Sequence, residues 1–298
     1  MRRLLPVLLM FALASCGQIT CSQKRHRAIR YMNNGVQKFS DGQHAQAVRD
    51  LMAAVREDDT FTTAHYNLAK VYQKMGKWDD AQRHLGRVTT LEPNVARYHY
   101  DLGLCYQRLS RLDLATDSYS KALGINSNLY AAHYRMGMVY TAQDRPRDAD
   151  EAYRKAIDIN PRFTKAFVKL GLLYLDYDYP EQALQVLQTG ITINATSGEA
   201  HNMIGVAYQM LKKYDKAIVM FQKAYQLDRN LYDAVYNLGM TYAAVGKKKL
   251  AEKELTTFSK IANGKPGVDP DYIRAAQEMI ADMMGGGSGQ SALPTRFK

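Results

Sequence analysis

Seven positions spaced 34 residues apart, with no insertion between them, constrain this chain more than anything else in it: Gly35, Ala69, Gly103, Gly137, Gly171, Gly205 and Gly239. An alanine follows each at a distance of twelve: Ala47, Ala81, Ala115, Ala149, Ala183, Ala217 and Ala251. Three residues after the small residue stand Tyr72, Tyr106, Tyr140, Tyr174, Tyr208 and Tyr242, with Lys38 in the first copy. Within the copy at 63–93, His65, Leu68, Ala69 and Tyr72 follow the spacing of one helix face, and Trp78, Ala81, Leu85 and Val88 make a second stripe. The unit is therefore two helices joined near Gly76. Small residues let the two backbones approach closely, while Tyr72 and Leu85 fill the spaces beside them. Neither helix can bury its stripe alone, so neighbouring copies must stack.

Period and residue types together resemble the tetratricopeptide repeat. The resemblance implies an all-α, right-handed superhelical solenoid of seven helix-turn-helix repeats, at 28–61, 62–95, 96–129, 130–163, 164–197, 198–231 and 232–265. The copies depart from the pattern at the ends. Asn34 and Lys38 are polar where later copies are apolar, Phe258 replaces a mostly small residue, and the terminal proline survives as Pro93 and Pro161. Beyond the last copy, Asp269 is an N-cap with Pro270 in the first turn, and Ile273, Ala276, Met279 and Ile280 lie on one stripe. Residues 269–284 are thus expected to form a capping helix, and the glycine-rich stretch 285–298 a flexible tail.

The first fifteen residues have the order of an export signal: Arg2 and Arg3, an apolar run from Leu4 to Leu13, then Ala14 and Ser15. The run is far short of the roughly 20 residues needed to span a bilayer. Leu13-Ala14-Ser15-Cys16 resembles the lipobox of bacterial lipoproteins, which implies cleavage after 1–15 and acylation of Cys16 by palmitate-type chains. Gly17, in place of an aspartate, implies the outer membrane. Two acyl chains already give stable anchoring, at about 0.8 kcal/mol per buried methylene. Loss of Arg2 and Arg3 lowers the formal charge from +11 by two, to +9. Residues 16–27 are read as a lipidated start and basic linker, whose Lys24, Arg25, His26, Arg27 and Arg30 either meet anionic headgroups or stay solvated. The chain has three cysteines, too few for a disulfide framework; Cys105 falls among apolar helix positions, and Cys21 is the thiol expected to be exposed.

The chain shows no metalloprotease helix motif, phosphate-binding loop, nucleophile elbow or paired cysteines, so neither enzyme activity, metal nor cofactor is expected. His65, His99, His133 and His201 share one slot, which suggests a metal or pH-sensing ladder. The same slot holds Tyr31, Phe167 and Val235 in other copies, which reads more simply as a place for a bulky, partly buried side chain. Asn194-Ala195-Thr196 matches a glycosylation acceptor, but the lipobox resemblance implies a bacterial host, in which the match has no role.

The tetratricopeptide resemblance places partner peptides in a concave groove. Its slots here are Tyr66, Tyr100, Tyr134, Val168, Asn202 and Tyr236, and one turn on Lys70, Leu104, Met138, Leu172, Val206 and Met240. Tyrosine suits such a surface, with large contact area and few rotors; the alternative is that these rings pack between helices. The lysine-asparagine clamp that some family members use for acidic chaperone tails is absent, since its first slots hold Met32 and Val36, or Tyr66 and Lys70, although Lys165 and Lys169 could meet a carboxylate. Lipobox and repeats together resemble the pilotin lipoproteins of type IV pilus and social-motility machines. That implies a periplasm-facing outer-membrane protein that binds a secretin client, with no nucleic acid or small-molecule substrate. The alternative is a structural subunit of another envelope machine serving barrel assembly, gliding motility or cell-wall hydrolases.

Overall fold

The computed structural model describes residues 5–265 and 268–285, with side chains from Ser22 onward. The side chains of Cys16 and Cys21, residues 1–4 and the tail from 286 lie outside the described residues. Among the described residues there are fifteen helices and no strand, and no helix is long and apolar enough to cross a membrane. The chain divides into two compact units, Met1–Asp144 and Arg145–Lys298.

The first unit holds α1 (Leu5–Ser40), α2 (His44–Glu57), α3 (Thr62–Lys74), α4 (Trp78–Leu91), α5 (Ala96–Arg108), α6 (Leu112–Ile125) and α7 (Tyr130–Ala142). Each helix packs on its sequence neighbours, and α1 on α3 and α5 on α7. The core follows the repeat: Leu51, Leu85 and Tyr119, each sixteen residues after a small residue, are fully buried. A Cβ added at Gly103 would lie 2.7 Å from the Tyr119 ring, so the glycine is what lets the two backbones close. Lys38, standing in the tyrosine slot, pairs with Asp50 at 2.6 Å.

The second unit holds α8 (Pro146–Ile159), α9 (Thr164–Asp176), α10 (Pro180–Ile193), α11 (Gly198–Met210), α12 (Tyr214–Leu227), α13 (Tyr232–Ala244), α14 (Lys248–Ala262) and α15 (Pro270–Met283). Its helices also pack in chain order, with α9 on α11 and α11 on α13. Leu187, Phe221 and Leu255 are its fully buried counterparts. α15 is the cap: Asp269 Oδ1 accepts from the Asp271 N–H at 2.9 Å, and Tyr272, Ile273, Met279 and Ile280 pack on the cluster of Val235, Tyr236, Leu255 and Phe258.

The turn inside each repeat has one geometry. Residues 42, 76, 110, 144, 178, 212 and 246 all have positive φ, between 54° and 76°. In the described cases the next N–H returns to the carbonyl of the tyrosine slot, as Lys77 N to Tyr72 O (2.9 Å) and Lys213 N to Tyr208 O (2.8 Å). This is the Schellman closure of a helix, and it fixes the left-handed residue whatever its side chain.

One expectation is corrected. The basic stretch read as a linker is helical, because α1 runs without a break from Leu5 into the first repeat. Arg25 pairs with Asp58 (2.6 Å) and lies over the Phe61 ring, 3.8 Å from its centroid, and Arg27 meets Glu57 at 3.1 Å. Carboxylates some 30 residues later therefore neutralise two of the basic groups.

Candidate functional site

The slots named from the sequence lie on the first helix of each repeat, and the structure separates them into two kinds. The later slot stays partly accessible at Lys70, Leu104, Met138, Leu172 and Met240, while Val206 is 2% exposed. At Tyr66, which meets Asp101 of α5, and at Asn202, which meets Asp233 of α13, the earlier slot turns into the seam toward the next first helix. Tyr66 and Tyr100 are half-buried, and Tyr134, Val168, Asn202 and Tyr236 are buried. These last four side chains, and Val206, are covered within their own chain. Tyr236 is fully covered, with its ring edge-on to Phe258 (5.2 Å) and Tyr272 (5.3 Å), because α15 takes the place a following repeat would occupy.

In the first unit the seam is a polar cluster that sequence reasoning missed. Asp101 on α5 is 1% exposed, and its Oδ2 accepts from Tyr66 Oη at 2.7 Å and Arg97 Nε at 3.0 Å, with Lys70 Nζ 3.7 Å away. Gln73 Nε2 donates to the Asp101 carbonyl and to Cys105 Sγ, both at 3.3 Å. Burial pushes the Cys105 thiol up to about 11, so it is an inert core residue. Burial and the Asp101 carboxylate also raise the Tyr66 phenol well above its usual value. Two of the expected groove residues, Tyr66 and Lys70, are thus held by their own chain. Asp101→Ala is expected to cost about 2 kcal/mol, the scale of hydrogen bonds to a charged group. Arg97, 61% exposed, can turn to water, so no buried charge is stranded; the shift in urea midpoint checks this.

The histidine slot is structural. Imidazole Nε2 of His65, His99 and His133 donates to the carbonyl six residues upstream, at Asp59 (3.1 Å), Pro93 (2.7 Å) and Ser127 (3.0 Å). His201 instead donates from Nδ1 to Ser197 O at 2.9 Å. These bonds tie each first helix to the turn before it. With Nε2 of His65 donating, its Nδ1 accepts from His84 Nδ1–H at 3.0 Å, so the pair shares one orientation with both rings neutral. Burial is the main cause that lowers His84 to about 4, and it lowers His65 as well. A base that is harder to protonate folded than unfolded contributes stability in full above about 6.5, the unfolded value. That contribution is lost as pH falls toward about 4. Urea unfolding at pH 7 and 4.5 should show a smaller acid loss for His84→Gln than for the parent chain.

In the second unit the first helices leave a recess of about 370 Å³ among α9, α11 and α13. Leu172, Met203, Val206 and Leu231 give it apolar walls, and Asp176, Glu199, Asp228 and Asp233 face it with Lys169. Of these, only Leu172 and Val206 were named from the sequence as groove residues. A signal for Glu199 and Asp233 existed in the slot three residues before the groove tyrosine, which reads Thr63, Arg97, Ala131, Lys165, Glu199 and Asp233 and turns from basic to acidic along the chain.

Family models described as tetratricopeptide repeat match residues 66–129, 130–163 and 198–231. Over those stretches the chain carries tetratricopeptide repeats. They are protein-interaction scaffolds, and solved structures carry the same fold. A tetratricopeptide repeat protein from Parabacteroides merdae aligns with TM-score 0.65 and 16% identity over 87% of this chain and 99% of that one. The pilF protein of Pseudomonas aeruginosa aligns with TM-score 0.60 and 19% identity, covering 74% and 97%. MamA aligns with TM-score 0.55 and 25% identity, covering 58% and 94%. A search of curated proteins gives no match.

Proposed function

We propose that this chain is a non-catalytic, lipid-anchored scaffold, held by an acylated Cys16 at the periplasmic face of an outer membrane. It captures a segment of a client protein on the first-helix face of its repeats. The client is a subunit of an envelope machine, and the combination of lipobox and repeats favours a type IV pilus secretin. The observation that carries the reading is the recess among α9, α11 and α13, where apolar walls and charged rims form a surface for a peptide rather than for a reaction. A bilayer anchor would add no contact, yet it would raise the local concentration of both partners. The unbroken α1 supports a short tether: the twelve residues from Cys16 to Ala28 rise about 18 Å as helix.

Cys16→Ala should abolish incorporation of labelled palmitate and release the protein from membranes. Continued membrane association without label would refute the anchor. Deleting the gene should reduce detergent-resistant secretin multimers; unchanged multimers would transfer the scaffold to a different envelope complex.

A further inference from the structure

The recess in the second unit has a charge opposite to that of the chain around it. The whole sequence is formally +11, yet four carboxylates and one ammonium line this cavity. The ammonium is already engaged, since Lys169 Nζ lies 3.8 Å from Glu199 Oε1.

Asp233 sits in the wall under a constraint that packing alone does not require. Asn202 Nδ2 donates to its Oδ2 at 2.8 Å, Asn237 Nδ2 donates to Asn202 Oδ1 at 3.4 Å, and Thr241 Oγ1 donates to the Asn237 carbonyl at 2.6 Å. Asn202, Asn237 and Thr241 are all fully buried. Buried amides are costly unless satisfied, and here they fix one carboxylate at the edge of a cavity. The comparison with Asp101 is direct. The Oδ2 of that carboxylate meets Arg97, Lys70 and Tyr66, whereas no ion pair among the described residues reaches Asp233. Burial raises Asp233 to about 6, with Glu199 and Asp228 adding to it, although the backbone N–H groups of Ala234 and of Asp233 itself pull the other way.

Small-ligand sites occupy about 300–1,000 Å³. At about 370 Å³ this one suits a long side chain and its flanks. We propose that the recess takes an arginine or lysine presented within an apolar stretch of the client, with Asp233 and Glu199 as its carboxylate partners. Leu172 and Met203 would receive the flanking apolar side chains. This rests on the groove reading above and assigns it a class of partner.

Random dodecapeptides displayed on phage and selected against the full chain in detergent at pH 7 test it. Enriched sequences should place an arginine or lysine between apolar residues. A synthetic peptide of the enriched sequence should bind the Glu199→Gln, Asp233→Asn double variant at least tenfold more weakly than the parent, since removing one side of a desolvated ion pair mainly speeds release. The two proteins should melt alike, because the amides preserve shape. The groups facing the site are Lys169 and Asp176 from α9, Glu199 from α11, Asp228 from the preceding turn and Asp233 from α13. Protonation of Asp233, near 6, should weaken binding between pH 7 and pH 5.

Enriched peptides without a cation, or peptides indifferent to the double variant, overturn the proposal. If such peptides are nevertheless lost with Leu172→Glu, the groove reading stands and the basic client falls. If neither variant matters, both fall. Self-association removed by the double variant would assign the recess to a second copy of the chain and likewise overturn the proposal.

Discussion

Phe258→Ala should destabilise the carboxyl-terminal end of the chain by about 3–5 kcal/mol, the cost of removing a fully buried aromatic ring. Phe258 is 0% exposed and packs edge-on against Tyr236, which in turn packs edge-on against Tyr272 of α15. Its slot holds Ala54, Val88, Ala122, Ala156, Gly190 and Ala224 in the other repeats. In the last repeat α14 is followed by α15, and the phenyl ring supplies the volume α15 needs to seat against. Because repeats are stabilised by their neighbours, the loss should concentrate in α13, α14 and α15 rather than spread evenly. Hydrogen exchange should show protection at 270–283 collapsing while α3 and α4 keep theirs. Phe258→Leu, which conserves most of the volume, should cost less than about 1.5 kcal/mol. Equal losses in the two variants, or protection lost evenly along the chain, would show that the ring does not seat the cap.

The helical fold was legible because each repeat writes its own packing into a fixed spacing. A small residue and the large one sixteen positions on can be paired by eye, as Gly205 with Phe221, and the cap announces itself in Asp269 and Pro270. Seam and surface could not be separated in the same way. Whether Tyr66 or Asn202 is accessible depends on Asp101 and Asp233, which lie 35 and 31 residues later on another helix. A wheel drawn for one helix carries no trace of that. Tyr236 looks identical to Tyr66 in its own repeat, and only α15 decides that it is covered. Arg25 and Arg27 read as headgroup-facing or solvated charges for the same reason, since Asp58 and Glu57 are distant in sequence. The left-handed turn position shows the converse. Gly76 signals it locally, but Ser110 and Lys212, at φ 57° and 56°, hold the same geometry without any glycine signal. There the repeat period is the better guide, because the closing hydrogen bond, not the side chain, sets the backbone.

Gly103→Ala and Gly86→Ala should change stability in opposite directions, though both place a methyl group on a helical glycine. At Gly86, in α4, an added Cβ meets nothing within 4 Å. There alanine gains its helix propensity over glycine, about 1 kcal/mol, without steric cost. At Gly103 the same methyl would lie 2.7 Å and 2.8 Å from two atoms of the Tyr119 ring. That ring is fully buried, and its hydroxyl donates to Gln107 Oε1 at 2.9 Å, so it cannot swing away. Overpacking of this kind costs about 1–3 kcal/mol and should outweigh the propensity gain. Gly205, with Cβ distances of 2.5 Å and 2.6 Å to the Phe221 ring, should behave likewise. Gly171 faces Leu187 instead. In the second repeat the corresponding Ala69 packs with Leu85, and both are fully buried. A branched aliphatic side chain can shift where a rigid ring cannot, so Gly171→Ala should cost less than either aromatic case. Urea midpoints for the four variants decide it: a loss at Gly171 as large as at Gly205 would mean that backbone separation, rather than the shape of the facing side chain, sets the need for glycine.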